Sequence, residues 1–230
     1  MALIDDCTNY YKLDESSGDA IDAQGSNDGT VTNCDYSQTG KINTAYGFDG
    51  TAYISLPITL DTTISISMWI NLDTLNDDGY LYDLRASGGA GYAYFDHNTN
   101  NIVVSDGTVY VDTVATQAIT TGFHHVVVKG IAADINAAAR IGSRQDGTPF
   151  FKGDIDEIGF FDTTLSTGQI EELYNSGAGL AYPFSTGTNT QINIGDSWKD
   201  IEGVKINIGD TWKDVAGMQI NIGDTWKTVF

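Results

Sequence analysis

The segment TISISMWINL, residues 63–72, alternates strictly. Ile64, Ile66, Met68 and Ile70 fall on one side, and Ser65, Ser67, Trp69 and Asn71 on the other. A period of two marks a β-strand with one buried face. Short runs of valine, isoleucine, tyrosine and phenylalanine recur along the chain. They predict strands near 8–13, 29–33, 45–49, 51–56, 63–71, 79–84, 90–96, 101–105, 108–114, 123–130, 138–143 and 151–161. Aspartate–glycine pairs at Asp28–Gly29, Asp49–Gly50, Asp106–Gly107 and Asp146–Gly147 supply tight turns between them. Many strands at this spacing point to a sandwich or barrel.

One segment has a different period. In LSTGQIEELYNSG, Ser166 is placed as an N-cap and Gln169 completes a capping box. Leu165 and Ile170 are spaced for a hydrophobic staple, and Gly177 for the C-terminal stop. A helix of two or three turns is expected, with a packing role.

The chain then repeats itself. QINIGDSWKDIEGV, KINIGDTWKDVAGM and QINIGDTWKTVF follow one another from Gln191 to Phe230 with a period of 14 residues. Each unit reads as strand, turn, strand, turn. Ile192, Ile194 and Trp198 of the first recur as Ile206, Ile208 and Trp212, then as Ile220, Ile222 and Trp226. A lone ribbon of this size cannot cover its own apolar rows. Self-association is therefore expected, with a homotrimer favoured. Docking on the rest of the chain is the plainer alternative. The division expected is a sandwich over 1–184, a linker over 185–190 and a repeat arm over 191–230. The expected fold class is all-β: a two-sheet antiparallel jelly roll with one short helix and a C-terminal hairpin arm.

Composition narrows the partners. The formal charge is −20, from 31 acidic and 11 basic residues, and only five of the acids are glutamate. Such a surface repels phosphate backbones, so no nucleic-acid partner is expected. It also offers oxygen ligands to hard cations. No stretch approaches the roughly 20 apolar residues of a membrane helix, so no membrane partner is expected. The opening MALIDDCTNYYKLDESSG has neither a basic nor an apolar signal region, so release by another route, as for virion proteins, is expected. Without an oxidising compartment, Cys7 and Cys34 are expected as free thiols. His124 and His125 are adjacent in a strand and face opposite ways, so they cannot chelate one ion, and a structural role is expected.

YYKLDESSGDAIDAQGSNDGTV, GFDG, SMWIN, GFHHVVV and GDIDEIGFFDTTLSTGQIEELY come in an order that resembles the laminin-G-like, concanavalin A-like lectin/glucanase domains. The resemblance covers nearly all of residues 8–178, with Phe123 standing where the family often has tryptophan. It implies a jelly roll with the capped helix beside the last strands. It also implies a structural Ca²⁺ held by Asp22, Asn27, Asp28 and Asp156. Loops rich in Asp and Asn form turns without metal as well, so both readings stay open.

Glucanases of this group carry E-x-D-x-x-E on one strand. GDIDEIG supplies Asp154, Asp156 and Glu157 but lacks the leading glutamate, so the chain is expected not to be an enzyme. A sugar site needs an aromatic platform with polar groups beside it. DGYLYDLRASGGAGYAYFDHNTN offers Tyr80, Tyr82, Arg85, Tyr92 and Tyr94, with Tyr92 and Tyr94 on one face of a strand. Ordinary sheet-face tyrosines would look the same. GDTWK-type repeats resemble those of phage appendages and some bacterial surface proteins. The leading expectation is a virion surface or fibre protein displaying a lectin-like domain, with other virion proteins and a cell-surface glycan as partners. The alternative is a cell-surface carbohydrate-binding module, exported by a non-classical route, whose Trp198, Trp212 and Trp226 bind wall polymer.

Overall fold

The structure, a computed structural model, describes residues 3–58, 63–85, 91–132 and 139–184, and beyond these the backbone of six short strands. The chain divides into two compact units, Leu3–Phe184 and Ser185–Phe230.

The first unit opens with one turn of helix, α1 (Leu3–Asp6). Fifteen strands follow: β1 (Cys7–Tyr11), β2 (Thr30–Thr32), β3 (Asp35–Thr39), β4 (Thr44–Asp49), β5 (Tyr53–Leu56), β6 (Thr63–Leu72), β7 (Gly79–Asp83), β8 (Tyr92–Asp96), β9 (Asn101–Val104), β10 (Thr108–Val111), β11 (Gly122–Ala132), β12 (Ala139–Ile141), β13 (Ser143–Arg144), β14 (Gly147–Phe150) and β15 (Lys152–Phe161). Helix α2 (Thr167–Tyr174) comes after them.

They form two sheets. The first has seven strands in the order β10-β11-β6-β15-β4-β3, with β1 also paired to β15. The second has eight, in the order β13-β14-β7-β12-β5-β2, extended by β8 on β7 and β9 on β8. The pairing is antiparallel apart from the short β14–β7 contact. Between the sheets lies a core that includes Ile54, Leu56, Ile64, Ile66, Met68, Ile70, Leu81, Tyr82, Phe95, Ile141, Ile155 and Phe160. The chain is thus the expected all-β two-sheet sandwich.

The alternation in β6 holds, but its second face is not open. Ser65, Ser67 and Trp69 are buried too. A second apolar cluster covers that side, built from Leu3, Tyr10, Val127, Phe161, Leu165, Ile170, Leu173 and Phe184. Tyr174 of α2 stacks on Trp69 with ring centroids 5.7 Å apart. Ser65 Oγ donates to the Thr163 carbonyl at 2.7 Å and accepts from the Leu165 N–H at 3.0 Å.

Helix α2 begins as the sequence indicates. Ser166 Oγ accepts from the Gln169 N–H, and the Gln169 side chain accepts from the Ser166 N–H at 3.0 Å. It ends earlier than Gly177, because Asn175 takes the left-handed conformation at φ 47° and closes it. Asparagine tolerates that region through local side-chain bonding. Cys7 and Cys34 are buried free thiols. Among the described residues no helix is long and apolar enough to cross a membrane.

The second unit contains three hairpins: β16 (Thr190–Asn193) with β17 (Trp198–Ile201), β18 (Lys205–Ile208) with β19 (Thr211–Asp214), and β20 (Gln219–Ile222) with β21 (Thr225–Thr228). Their registers are equivalent. Trp198, Trp212 and Trp226 stand opposite Asn193, Asn207 and Asn221, while Ile192, Ile206 and Ile220 stand opposite Lys199, Lys213 and Lys227. Ile194 lies outside the described residues, as do residues 185–189 of the expected linker.

Candidate functional site

The second sheet carries an aromatic patch on its outer face. In β8 the burial alternates: Ala93 and Phe95 enter the core, and Tyr92 and Tyr94 stay half-exposed. In β7 the alternation breaks. Tyr80 pairs with Tyr94 and Asp83 with Tyr92, but Tyr82 pairs with Ala93. One extra residue is accommodated, so Leu81 and Tyr82 both enter the core and Asp83 returns to the outer face. This β-bulge re-aims every side chain after it.

Before the bulge, the β7–β8 register sets Tyr80 against Tyr94 (ring centroids 5.4 Å, interplanar angle 20°) and close to Tyr92 (5.6 Å). The Arg85 guanidinium lies 4.4 Å from the Tyr92 ring centroid and 5.7 Å from that of Tyr80. Asp83 holds it there as a fork: Nε donates to Oδ1 at 2.7 Å and Nη2 to Oδ2 at 2.6 Å. Asp83 is fully buried, and the ion pair keeps Arg85 charged by raising its pKa. Four of the five expected platform residues therefore meet: Tyr80, Arg85, Tyr92 and Tyr94. Tyr82 is a correction. It is 1 % exposed and belongs to the core, because the bulge turns it inward. Such a surface offers π-faces to the C–H side of a sugar ring, and charged donors beside them.

The expected calcium ligands do not converge. Both oxygens of Asp22 are occupied: Oδ1 accepts from the Tyr10 and Gln24 N–H groups, and Oδ2 from Asn9 Nδ2 at 2.7 Å and the Asn27 N–H at 3.2 Å. Asp28 Oδ1 accepts from the Asp22 N–H at 2.9 Å, and the Asn27 carbonyl accepts from Tyr11 Oη. These residues staple their own loop. Asp156 lies in β15 and accepts from the Lys41 and Ile42 N–H groups through Oδ2.

A second bulge explains Asp156. Its register against β6 shifts between Asp156 and Gly159, and Glu157 has φ 52°. Ile155 and Ile158 both face the core, so Asp156 and Glu157 share the other side. They are 0 % and 3 % exposed, and Asp156 Oδ1 and Glu157 Oε2 have no donor among the described residues. Burial pushes Asp156 up to about 8 and Glu157 up to about 7. Asp156 and Glu157 thus each keep one buried oxygen without a donor among the described residues, whereas both carboxylate oxygens of Asp22 accept N–H groups.

Sequence reasoning missed two arrangements. Ligand atoms of Asp78, Asp96 and His97 lie within 4.8 Å of one another, brought together by the β7–β8 pairing. Asp96 is spent on Asn98 and Thr99 in its own turn. His124 bridges Asp112 (Nδ1–Oδ2, 2.6 Å) and Thr120 (Nε2–Oγ1, 2.9 Å). Asp112 also accepts from the His125 N–H, so the trio closes the turn at the end of β10. His125 faces the other way, with Nε2 2.8 Å from Ser67 Oγ.

No protein-family model matches the chain, and no curated protein matches it in sequence. Solved structures do. One is a Trypanosoma rangeli sialidase in complex with 2,3-difluorosialic acid, with a TM-score of 0.55 and 13 % identity over 77 % of this chain and 34 % of that one. Another is a mutant of Trypanosoma rangeli sialidase displaying trans-sialidase activity, at 0.54 and 13 % over the same shares. Domain 4 of AbnA, a GH43 extracellular arabinanase from Geobacillus stearothermophilus in complex with arabinotriose, gives 0.48 and 19 % over 72 % of this chain and 97 % of that one, a similarity too low to argue from. The chain spans about a third of the sialidases' length. At these identities the likeness is one of fold: a β-sandwich also present in carbohydrate-active proteins. It corrects one expectation. The chain was expected not to be an enzyme, and its matches at the higher scores are sialidases, so the fold lends that exclusion no support.

Proposed function

We propose that the first unit binds a glycan on the outer face of its second sheet, and that the chain is a virion appendage of the surface or fibre type. The observation that carries the binding reading is the Tyr80–Tyr92–Tyr94 patch with Arg85 fixed above it by buried Asp83. The part-exposed rings of Tyr92 and Tyr94, backed by buried Tyr80 and beside a locked cation, suit the alternating apolar and hydroxylated faces of sugars. The likeness to the sialidase in complex with 2,3-difluorosialic acid supports sugars as the ligand class. In this reading the repeats assemble the chain into a homo-oligomer, favoured as a trimer, and the laminin-G-like sandwich is what the assembly presents. Glycan-array binding of the full chain beside Tyr92→Ala tests it. Retention of defined glycans, lost in the variant, supports the site. Equal binding by both moves the site elsewhere.

A Ca²⁺ ion at the Asp156–Glu157 bulge is a second part of the proposal, favoured by the two donorless buried oxygens. Asp156 and Glu157 would hold it, and it would neutralise the pair. Melting in Ca²⁺ against EDTA tests this. A rise in Tm that Asp156→Asn abolishes supports the ion. Superposable curves leave the pair as carboxylic acids kept neutral by burial.

A further inference from the structure

The chain has three arginines, Arg85, Arg140 and Arg144, against a net charge of −20. All three belong to the second sheet: Arg85 just past β7, Arg140 in β12 and Arg144 in β13. Two are neutralised where they stand. Arg85 is forked by Asp83, and Arg144 Nε lies 3.3 Å from Asp146. Arg140 has no carboxylate partner among the described residues. Its guanidinium stacks over Tyr53, 4.3 Å from the ring centroid, and among the described residues Nη1 donates one long hydrogen bond, to the Arg144 carbonyl at 3.4 Å.

Its place on the sheet is defined. Ala139 and Ile141 enter the core on either side, so Arg140 is on the outer face and half-exposed. It is in register with Ser55 on one side and Asp83 on the other, and Asp83 is in register with Tyr92. One row therefore crosses four strands: Ser55, Arg140, Asp83, Tyr92. Adjacent strands are about 4.8 Å apart, so Arg140 and Tyr92 are separated by roughly 10 Å, the span of about two sugar rings. Asp83, between them, is spent on Arg85 and fully buried.

We propose that this face takes a carboxylate-bearing oligosaccharide, one ring stacked at Tyr92 and Tyr94 and the carboxylate of a neighbouring ring received by Arg140. This rests on the glycan-binding reading above and names its ligand class. A planar guanidinium held by stacking presents parallel N–H groups that match a carboxylate's two oxygens. Within a chain of net charge −20, a guanidinium without a carboxylate partner among the described residues, on a tyrosine-lined face, is a place where a sugar acid gains rather than loses electrostatic energy.

The test uses the full chain on an array of neutral, carboxylated and sulfated glycans, followed by titration with a carboxylated oligosaccharide and its carboxyl-reduced form. Wild type is expected to retain carboxylated glycans and lose affinity by about ten-fold or more when the carboxyl is reduced. Arg140→Gln and Arg140→Lys should weaken binding similarly, since lysine keeps the charge but not the fork, with melting curves confirming that both variants fold. Tyr92→Ala separates the two readings. If neutral or sulfated glycans alone are retained, or if both Arg140 variants bind sugar acids as wild type does while Tyr92→Ala does not, the acid inference is overturned and the platform stands. If no glycan is retained, both are overturned.

Discussion

Asp83 has no exposed surface, and its two oxygens receive Arg85 in a fork while Oδ2 also accepts from the Gln145 N–H. Removing one member of such a pair leaves a buried charge uncompensated. Asp83→Ala is therefore expected to lower unfolding stability by about 3 kcal/mol in urea or thermal melts. It should also free Arg85 to leave the Tyr92 ring. His125 gives a pH signature at the same scale. Burial pulls its pKa from 6.5 down to about 4, and its Nδ1 has no partner among the described residues. Between those values the unfolded chain binds a proton that the folded chain refuses, so stability is present above 6.5 and is lost as pH falls towards 4. The full span is on the order of 3 kcal/mol. His125→Gln should reduce the fall in Tm between pH 7 and pH 4.5. An unchanged fall would assign it to other groups.

At the scale of elements, strands with clean alternation were legible and bulged strands were not. β6 and β8 fell where their periods of two placed them. β7 was placed too, yet its facing was misread from Leu81 onward, since nothing in GYLYD marks the inserted residue. Tyr82 was lost to the core and Asp83 gained for the site by that single shift. The bulge at Asp156 and Glu157 acts alike, setting two adjacent acids on one side of a strand whose alternation would separate them. β3, DYSQT, was missed because it has no buried face to give it an apolar period. Arg140 was overlooked because its row of neighbours comes from four strands distant in sequence. Helix α2 was the most legible element, because its start is written in side chains that bond locally. Ser166→Ala should cost about 1 kcal/mol in thermal melts, by removing an acceptor for the Gln169 N–H. Ser166→Asp should largely retain stability.

For the whole molecule, the two units differ in how they are held. Leu3–Phe184 closes around a core between its sheets and a second cluster beneath α2, which includes Phe184 itself. A chain ending at Phe184 should therefore keep its cooperative melt within a few degrees of the full chain. Light scattering after size exclusion then separates the roles. The full chain is expected as an oligomer and the shortened one as a monomer. Equal masses would remove the assembly role from the repeats and return Trp198, Trp212 and Trp226 to the wall-polymer alternative.

Each hairpin of the second unit pairs only with itself among the described residues, in a register that recurs every 14 residues. No strand of one repeat waits on a strand of the next. A copy can be added or deleted without breaking a single ladder hydrogen bond elsewhere. Near-identical tandem segments invite unequal recombination, so this part of the chain can change its reach in heritable steps of one repeat. The sheet face bearing Arg140 has no such freedom, because every position on it is tied to partners far away in sequence.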